Sequence, residues 1–173
     1  VNPNVGVVLQ CGSPVEMTWD VFVRAVLHLY LGGQAVGSAC AALLTGEANP
    51  SGKLAETMPV RLEDTPCAPW YPGREATSEY REGLFVGYRY YESAHKRVKY
   101  PFGYGLSYTE FSYAPGEFSP GGVSFTVKNT GSRAGAEVAQ LYVRSKTPGM
   151  LRPALSLAGF ARVELLPGEE KTV

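Results

Sequence analysis

Carboxylates are the side chains here with the most direct hydrolytic use. A suitably spaced pair can act as nucleophile and as general acid and base. The chain carries sixteen Asp and Glu, of which only Asp20 and Asp64 are Asp. Asp20 directly follows Trp19, and Glu16 lies just before them in SPVEM. Other constellations are poorer. Ser13 in CGSPVE lacks the GxSxG elbow, and the two histidines, His28 and His95, give no patterned triad. His28 lies in an apolar run and reads as a core residue. FGYG (102–105) contains a GxG without a strand–helix context, so it does not signal phosphate binding. Cys11, Cys40 and Cys67 are far apart and lack CxxC spacing, which argues against a zinc site and a disulfide framework. These residues give no grounds to assign a catalytic, cofactor-binding or metal-ligating role.

The elements that would position such groups begin with VGVVL (5–9), a continuous β-branched run. It reads as a buried strand of a parallel sheet. VFVRAVLHLYL (21–31) predicts a short helical turn leading into a strand near residues 25–29. Residues 35–45 predict a helix closed by Gly46, with Gly37, Ser38 and Ala41 forming a small-residue face for close packing on a sheet. So little chain cannot cover both faces of a parallel sheet. Residues 59–79, with Pro59, Pro66, Pro69 and Pro72, predict a linker or extended arm. From about Phe111, alternating segments and turn residues predict a partial antiparallel sandwich of three or four strands. Val123, Phe125, Val127, Leu141 and Val143 would then lack full cover.

Between these parts, residues 80–113 hold eight tyrosines and three phenylalanines, more than half of the chain's 20 aromatics. Open rings would make a stacking platform for sugars or bases. Glycines 83 and 87 are interleaved with the rings, which instead favours a packing surface between structural units. Formal net charge is zero, so no field gathers phosphates and nucleic acid is not an expected partner. HKRVK (95–99) reads as a solvated loop. No apolar run reaches the roughly eighteen residues that a membrane span requires. The sequence starts at Val1 without a signal-peptide pattern, which reads as a fragment or processed product and leaves the compartment open.

Four stretches, taken in order, are more specific. They are SPVEMTW (13–19), GEANPSGKLAETMP (46–59), EGLFVGYRYYE with YPFGYGLSYTEF (82–92 and 100–111), and KNTGSRAGAEVAQLYV with LAGFARVELLPGEEKTV (128–143 and 157–173). The series resembles the C-terminal part of family 3 glycoside hydrolases, the β-glucosidase and β-xylosidase family, across essentially the whole chain. The resemblance implies α/β followed by all-β. Residues 1–58 would end an α/β sandwich domain, 59–107 form an aromatic-rich connecting arm, and 108–173 begin a fibronectin type III-like domain.

In that family the nucleophilic Asp comes from a barrel domain, where Asp precedes Trp. Here Trp19 precedes Asp20, so the order is reversed. The family's acid/base Glu comes from a loop upstream of the strand matched by residues 5–9. The resemblance therefore implies a portion without catalytic residues and without a cofactor. Its partners would be the barrel domain and, in the parent enzyme, a β-linked oligosaccharide or aryl glycoside. The rival reading is a non-catalytic carbohydrate-binding or adhesion module. The incomplete α/β part argues against it, since such a module should close its own core.

Overall fold

The computed structural model describes residues 2–73, 76–146 and 151–173. The chain forms two units: Val1–Cys40, Leu54–Tyr104 and Val143–Ser156 make the first, and Ala41–Lys53, Gly105–Tyr142 and Leu157–Val173 the second.

In the first unit, β1 (Gly6–Leu9) and β2 (Ala25–His28) pair in parallel, from Gly6 opposite Ala25 to Leu9 opposite His28. β-branched Val7 and Val8 favour the extended backbone. The crossover contains only a 3-10 turn at Asp20–Phe22. After β2, Tyr30 adopts a left-handed φ of 51°. A non-glycine residue there costs about 1–3 kcal/mol. Its ring packs on His28 with centroids 3.9 Å apart, and its hydroxyl accepts the Ala55 N–H at 3.1 Å.

The helix predicted at 35–45 is α1 (Val36–Thr45). Gly46 takes a φ of 77° and its N–H returns to the Leu43 carbonyl, ending the helix as the sequence implies. The expected small-residue packing face is exposed: Gly37, Ser38 and Ala41 are all open to solvent.

The segment expected to be an extended arm is folded instead. β3 (Met58–Pro59) pairs antiparallel with β4 (Val98–Tyr100), and α2 (Tyr88–Ser93) precedes β4. The pairing continues beyond the strands, since Leu54 N–H donates to the Tyr104 carbonyl and Gly103 N–H to that of Leu54, both at 2.8 Å. Met58, only 1% exposed, is the centre of this pairing. Proline spacing suggested an arm because β3 is two residues long and carries no periodic signal.

The second unit holds five strands, one or two more than the alternation predicts. They are β5 (Phe111–Ser119), β6 (Gly122–Asn129), β7 (Gly135–Val143), β8 (Ser156–Leu165) and β9 (Glu170–Thr172). They form two sheets, β5-β6-β9 and β7-β8. β5 begins at Phe111, where the sandwich pattern was expected to start, and its register shifts between Ala114 and Glu117, where Pro115 and Gly116 interrupt the alternation. Val127, Ala139, Val163 and Leu165 make the core, with Phe111, Phe125 and Val173 packed on it. Val127 is fully buried, contrary to the expectation of partial cover. The other named residues follow that expectation more closely. Val143 is half exposed, while Val123, Phe125 and Leu141 line an open apolar cleft of about 290 Å³ with Tyr113 and Phe118.

Candidate functional site

The carboxylates weighed from sequence have structural partners. Glu16 Oε1 accepts the Leu62 N–H at 2.6 Å, capping the 3-10 turn at Leu62–Asp64. Asp64 faces Lys96 at 3.7 Å. Asp20 is ion-paired with Lys99 at 2.5 Å and accepts the Tyr100 hydroxyl at 3.0 Å, joining the crossover turn to β4. The lysines of the basic run are thus tied to carboxylates.

The Lys99 ammonium holds the Asp20 carboxyl below the usual carboxylate range, and the Tyr100 hydroxyl acts in the same direction. A carboxyl with a depressed folded-state pKa contributes stability above its unfolded value, about 3.9. That contribution is lost as pH falls through the lower folded value. The stability gap between the native chain and Asp20→Asn is therefore expected to be full near pH 6. It should shrink progressively below about pH 4. Urea midpoints across that range measure it, and a pH-independent gap would contradict the assignment.

Sequence reasoning did not single out Glu56. Burial pushes its carboxyl up, and the nearby His28 draws it back. His28 Nδ1 lies 3.3 Å from the Leu9 carbonyl, and its Nε2 is buried with no hydrogen-bond partner among the described residues. His28 is thus held, partly buried, between β1 and Tyr30, without the satisfied ring of a core histidine. The chain position of Glu56, two residues before a two-residue strand, carried no periodic signal of burial. Ser13 is exposed, as is His95, which has a φ of 49°. Among the described residues no group of three or more His, Cys, Asp or Glu could hold a metal ion.

The aromatic segment is packed in pairs more than it is open. Tyr88 stacks on Phe102 at 4.8 Å and Tyr100 on Tyr104 at 5.2 Å, and Tyr90 meets Tyr91 edge-on at 5.3 Å. Tyr91 is 6% exposed, and burial pushes its hydroxyl up to about 12. Other rings are open: Tyr80 is 90% exposed, and Tyr104, Tyr108 and Tyr113 are exposed by 39%, 44% and 50%.

In the second unit the built polar features are two networks. Lys53 Nζ donates to the Gly105 carbonyl at 2.8 Å and to Glu137 at 3.0 Å, and the Tyr113 hydroxyl donates to Glu137 at 3.0 Å. Asn129, fully buried, binds Thr109, Gly131, Arg133 and Leu165. Each polar group in these networks faces another protein group. Such an arrangement locks strands and turns together and leaves these carboxylate and amide groups engaged within the fold.

The family model for the glycosyl hydrolase family 3 C-terminal domain matches residues 1–108, and that for a fibronectin type III-like domain matches 137–173. The chain is 51% identical to thermostable beta-glucosidase B of Acetivibrio thermocellus, covering 100% of this chain and 24% of that protein. It is 42% identical to a beta-glucosidase of Rhizobium radiobacter, covering 99% of this chain and 22% of that protein. Among solved structures, a GH3 beta-glucosidase of Bifidobacterium adolescentis matches with a TM-score of 0.94 at 40% identity, over 99% of this chain and 26% of that one. DesR, a beta-glucosidase from Streptomyces venezuelae in complex with D-glucose, matches with a TM-score of 0.93 at 41% identity, over 99% and 23%. The chain thus spans about a quarter of the length of these relatives.

Proposed function

We propose, because this chain belongs to glycosyl hydrolase family 3, that it is the C-terminal portion of a retaining β-glycosidase acting on terminal β-linked glucosyl or xylosyl residues. The observation that carries this is the match to relatives named beta-glucosidases over the whole chain, at up to 51% identity. The portion's role is structural: it contributes scaffold, and the nucleophile and acid/base come from elsewhere in the parent. No catalytic residue is assigned to it, and Glu16 is a cap. The structural role is supported by the carboxylates already bound to protein partners. In chain order we assign 1–58 to the end of the α/β sandwich domain, 59–107 to the connection, and 108–173 to the fibronectin type III-like domain. The boundary near 107 is supported by the end of the family 3 match at residue 108. The parent's partners are β-linked oligosaccharides or aryl glycosides.

The test is hydrolysis of aryl β-glucoside and β-xyloside by the parent and by this chain at equal molarity. The parent should turn over at least one of them. The chain alone should not, because losing both catalytic carboxylates removes the covalent route itself. Turnover by the chain above about a few parts per million of the parent's, abolished by Glu16→Gln, would make Glu16 catalytic and overturn the structural role. A parent inert towards both glycosides would overturn the assigned activity.

A further inference from the structure

Trp70 and Tyr71 precede the aromatic segment and stand next to each other at the surface, exposed by 44% and 76%. Their loop is fastened. Both backbone N–H groups donate to the Cys67 carbonyl, at 2.8 and 2.9 Å. At Gly73, with a φ of 106°, an added Cβ would lie 2.7 Å from the Thr77 carbonyl oxygen, so the backbone closes tightly just after the rings. Arg81 lies over the Trp70 ring, its guanidinium carbon 3.9 Å from the centroid, which holds the plane of that ring. The same guanidinium donates through Nε to Glu79 Oε2, and both side chains are about half exposed. A guanidinium has five N–H donors and a carboxylate two acceptor oxygens, so this bond leaves the pair able to bind hydroxyls.

We propose that Trp70, Tyr71, Arg81 and Glu79 form a non-catalytic binding site for a neutral β-linked oligosaccharide, an inference that rests on the function proposed above. A sugar has an apolar C–H face for a ring and an edge of hydroxyls for a guanidinium–carboxylate pair. The pair carries no net charge and neither does the chain, so an anionic ligand gains nothing here. β-Linked glucans are extended and flat, so successive sugar faces meet neighbouring rings, whereas α-linked chains coil away. A second hold on the same polymer raises its effective concentration for the parent enzyme.

The test is affinity electrophoresis of the full-length parent and of this chain through gels holding a soluble β-glucan, with a soluble α-glucan as the reference. Both proteins should be slowed by the β-glucan and not by the α-glucan. Trp70→Ala and Tyr71→Ala should each weaken the retardation at least about fivefold, the lower end of what one stacked ring contributes. Trp70→Phe, which keeps a stacking face, should retain most of it. Melting midpoints within about 3 °C of the native protein show that a variant is folded. A folded Trp70→Ala parent with full retardation would overturn the proposal, as would equal slowing by the α-glucan. A parent that runs unhindered overturns it too, and if this chain alone is slowed, the rest of the parent covers the rings. Hydrolysis of an aryl β-glucoside by the same parent sample separates the two readings. An active but unretarded parent defeats the sugar site alone, and a retarded but inactive one defeats the proposed activity alone.

Discussion

Replacing Asn129 with Ala is expected to lower the stability of the second unit by about 3–4 kcal/mol, near the top of the range for single substitutions. The side chain is fully buried and all four of its hydrogen-bonding positions are used. Its Nδ2 group donates to the Arg133 carbonyl at 2.8 Å and to the Leu165 carbonyl at 3.1 Å. Its Oδ1 accepts the Thr109 hydroxyl at 2.8 Å and the Gly131 N–H at 3.1 Å. One amide thus ties the end of β6 to the following turn, to β8 and to the entry into β5. Truncation strands buried groups, and each one left without water or partner costs about 1–3 kcal/mol. Thr109 and Asn129 are both buried, so water cannot readily take the place of the lost amide. Urea unfolding of Asn129→Ala beside the native chain measures the effect. Asn129→Asp, which keeps the shape but loses both donors and adds charge, should be at least as damaging. A loss below about 1 kcal/mol for both variants would show that the hub carries little of the fold's stability.

The second large effect is expected at Glu137. Its carboxylate is 8% exposed at the residue level and is held by Lys53 and Tyr113. Burial, and then the Glu137 charge, hold the Tyr113 hydroxyl well above the ordinary tyrosine range. Glu137→Ala leaves the Lys53 ammonium, whose side chain is 15% exposed, with only the Gly105 carbonyl. Breaking a buried pair from one side costs about 3–5 kcal/mol, and the residual exposure here points to about 3. Removing both charges is a different operation. Lys53→Met with Glu137→Met should cost less than Glu137→Ala alone, because no uncompensated charge remains inside. A double-mutant cycle on urea midpoints reads this directly. Additive losses would mean that the pair is screened and contributes nothing as a pair.

Local pattern was enough for much of this molecule. The β-branched run at 5–9 gave β1 and its parallel pairing but not the expected burial, since Val5 and Val8 are 37% and 44% exposed, and the Ala- and Leu-rich stretch closed by Gly46 gave α1. Alternation in residues 122–129 and 135–143 gave β6 and β7. Motif order placed the chain in its family. Glu16, weighed as a carboxylate and given no catalytic role, accepts the Leu62 N–H with its side chain.

Other features depend on groups distant in sequence and had no local signature. β3 is two residues long and exists only because β4, forty residues later, supplies its hydrogen-bond partners. The connection expected over 59–107 therefore holds α2 and β4, while its four-proline part, 59–79, holds only the end of β3 and the 3-10 turn at Leu62–Asp64 among the described residues. The register shift of β5 at Pro115 and Gly116 is set by its pairing with β6. Asn129 reads as a turn residue in KNTG, but four groups spread from Thr109 to Leu165 converge on its amide and bury it. Glu137 lies in an alternating strand where a charged residue is expected to face water, yet Lys53, eighty-four residues away, draws it inside. Periodicity reports which side of an element is apolar, because that preference belongs to each residue. The company a polar group keeps is set by chain closure between distant segments, and that is settled only when the tertiary structure forms.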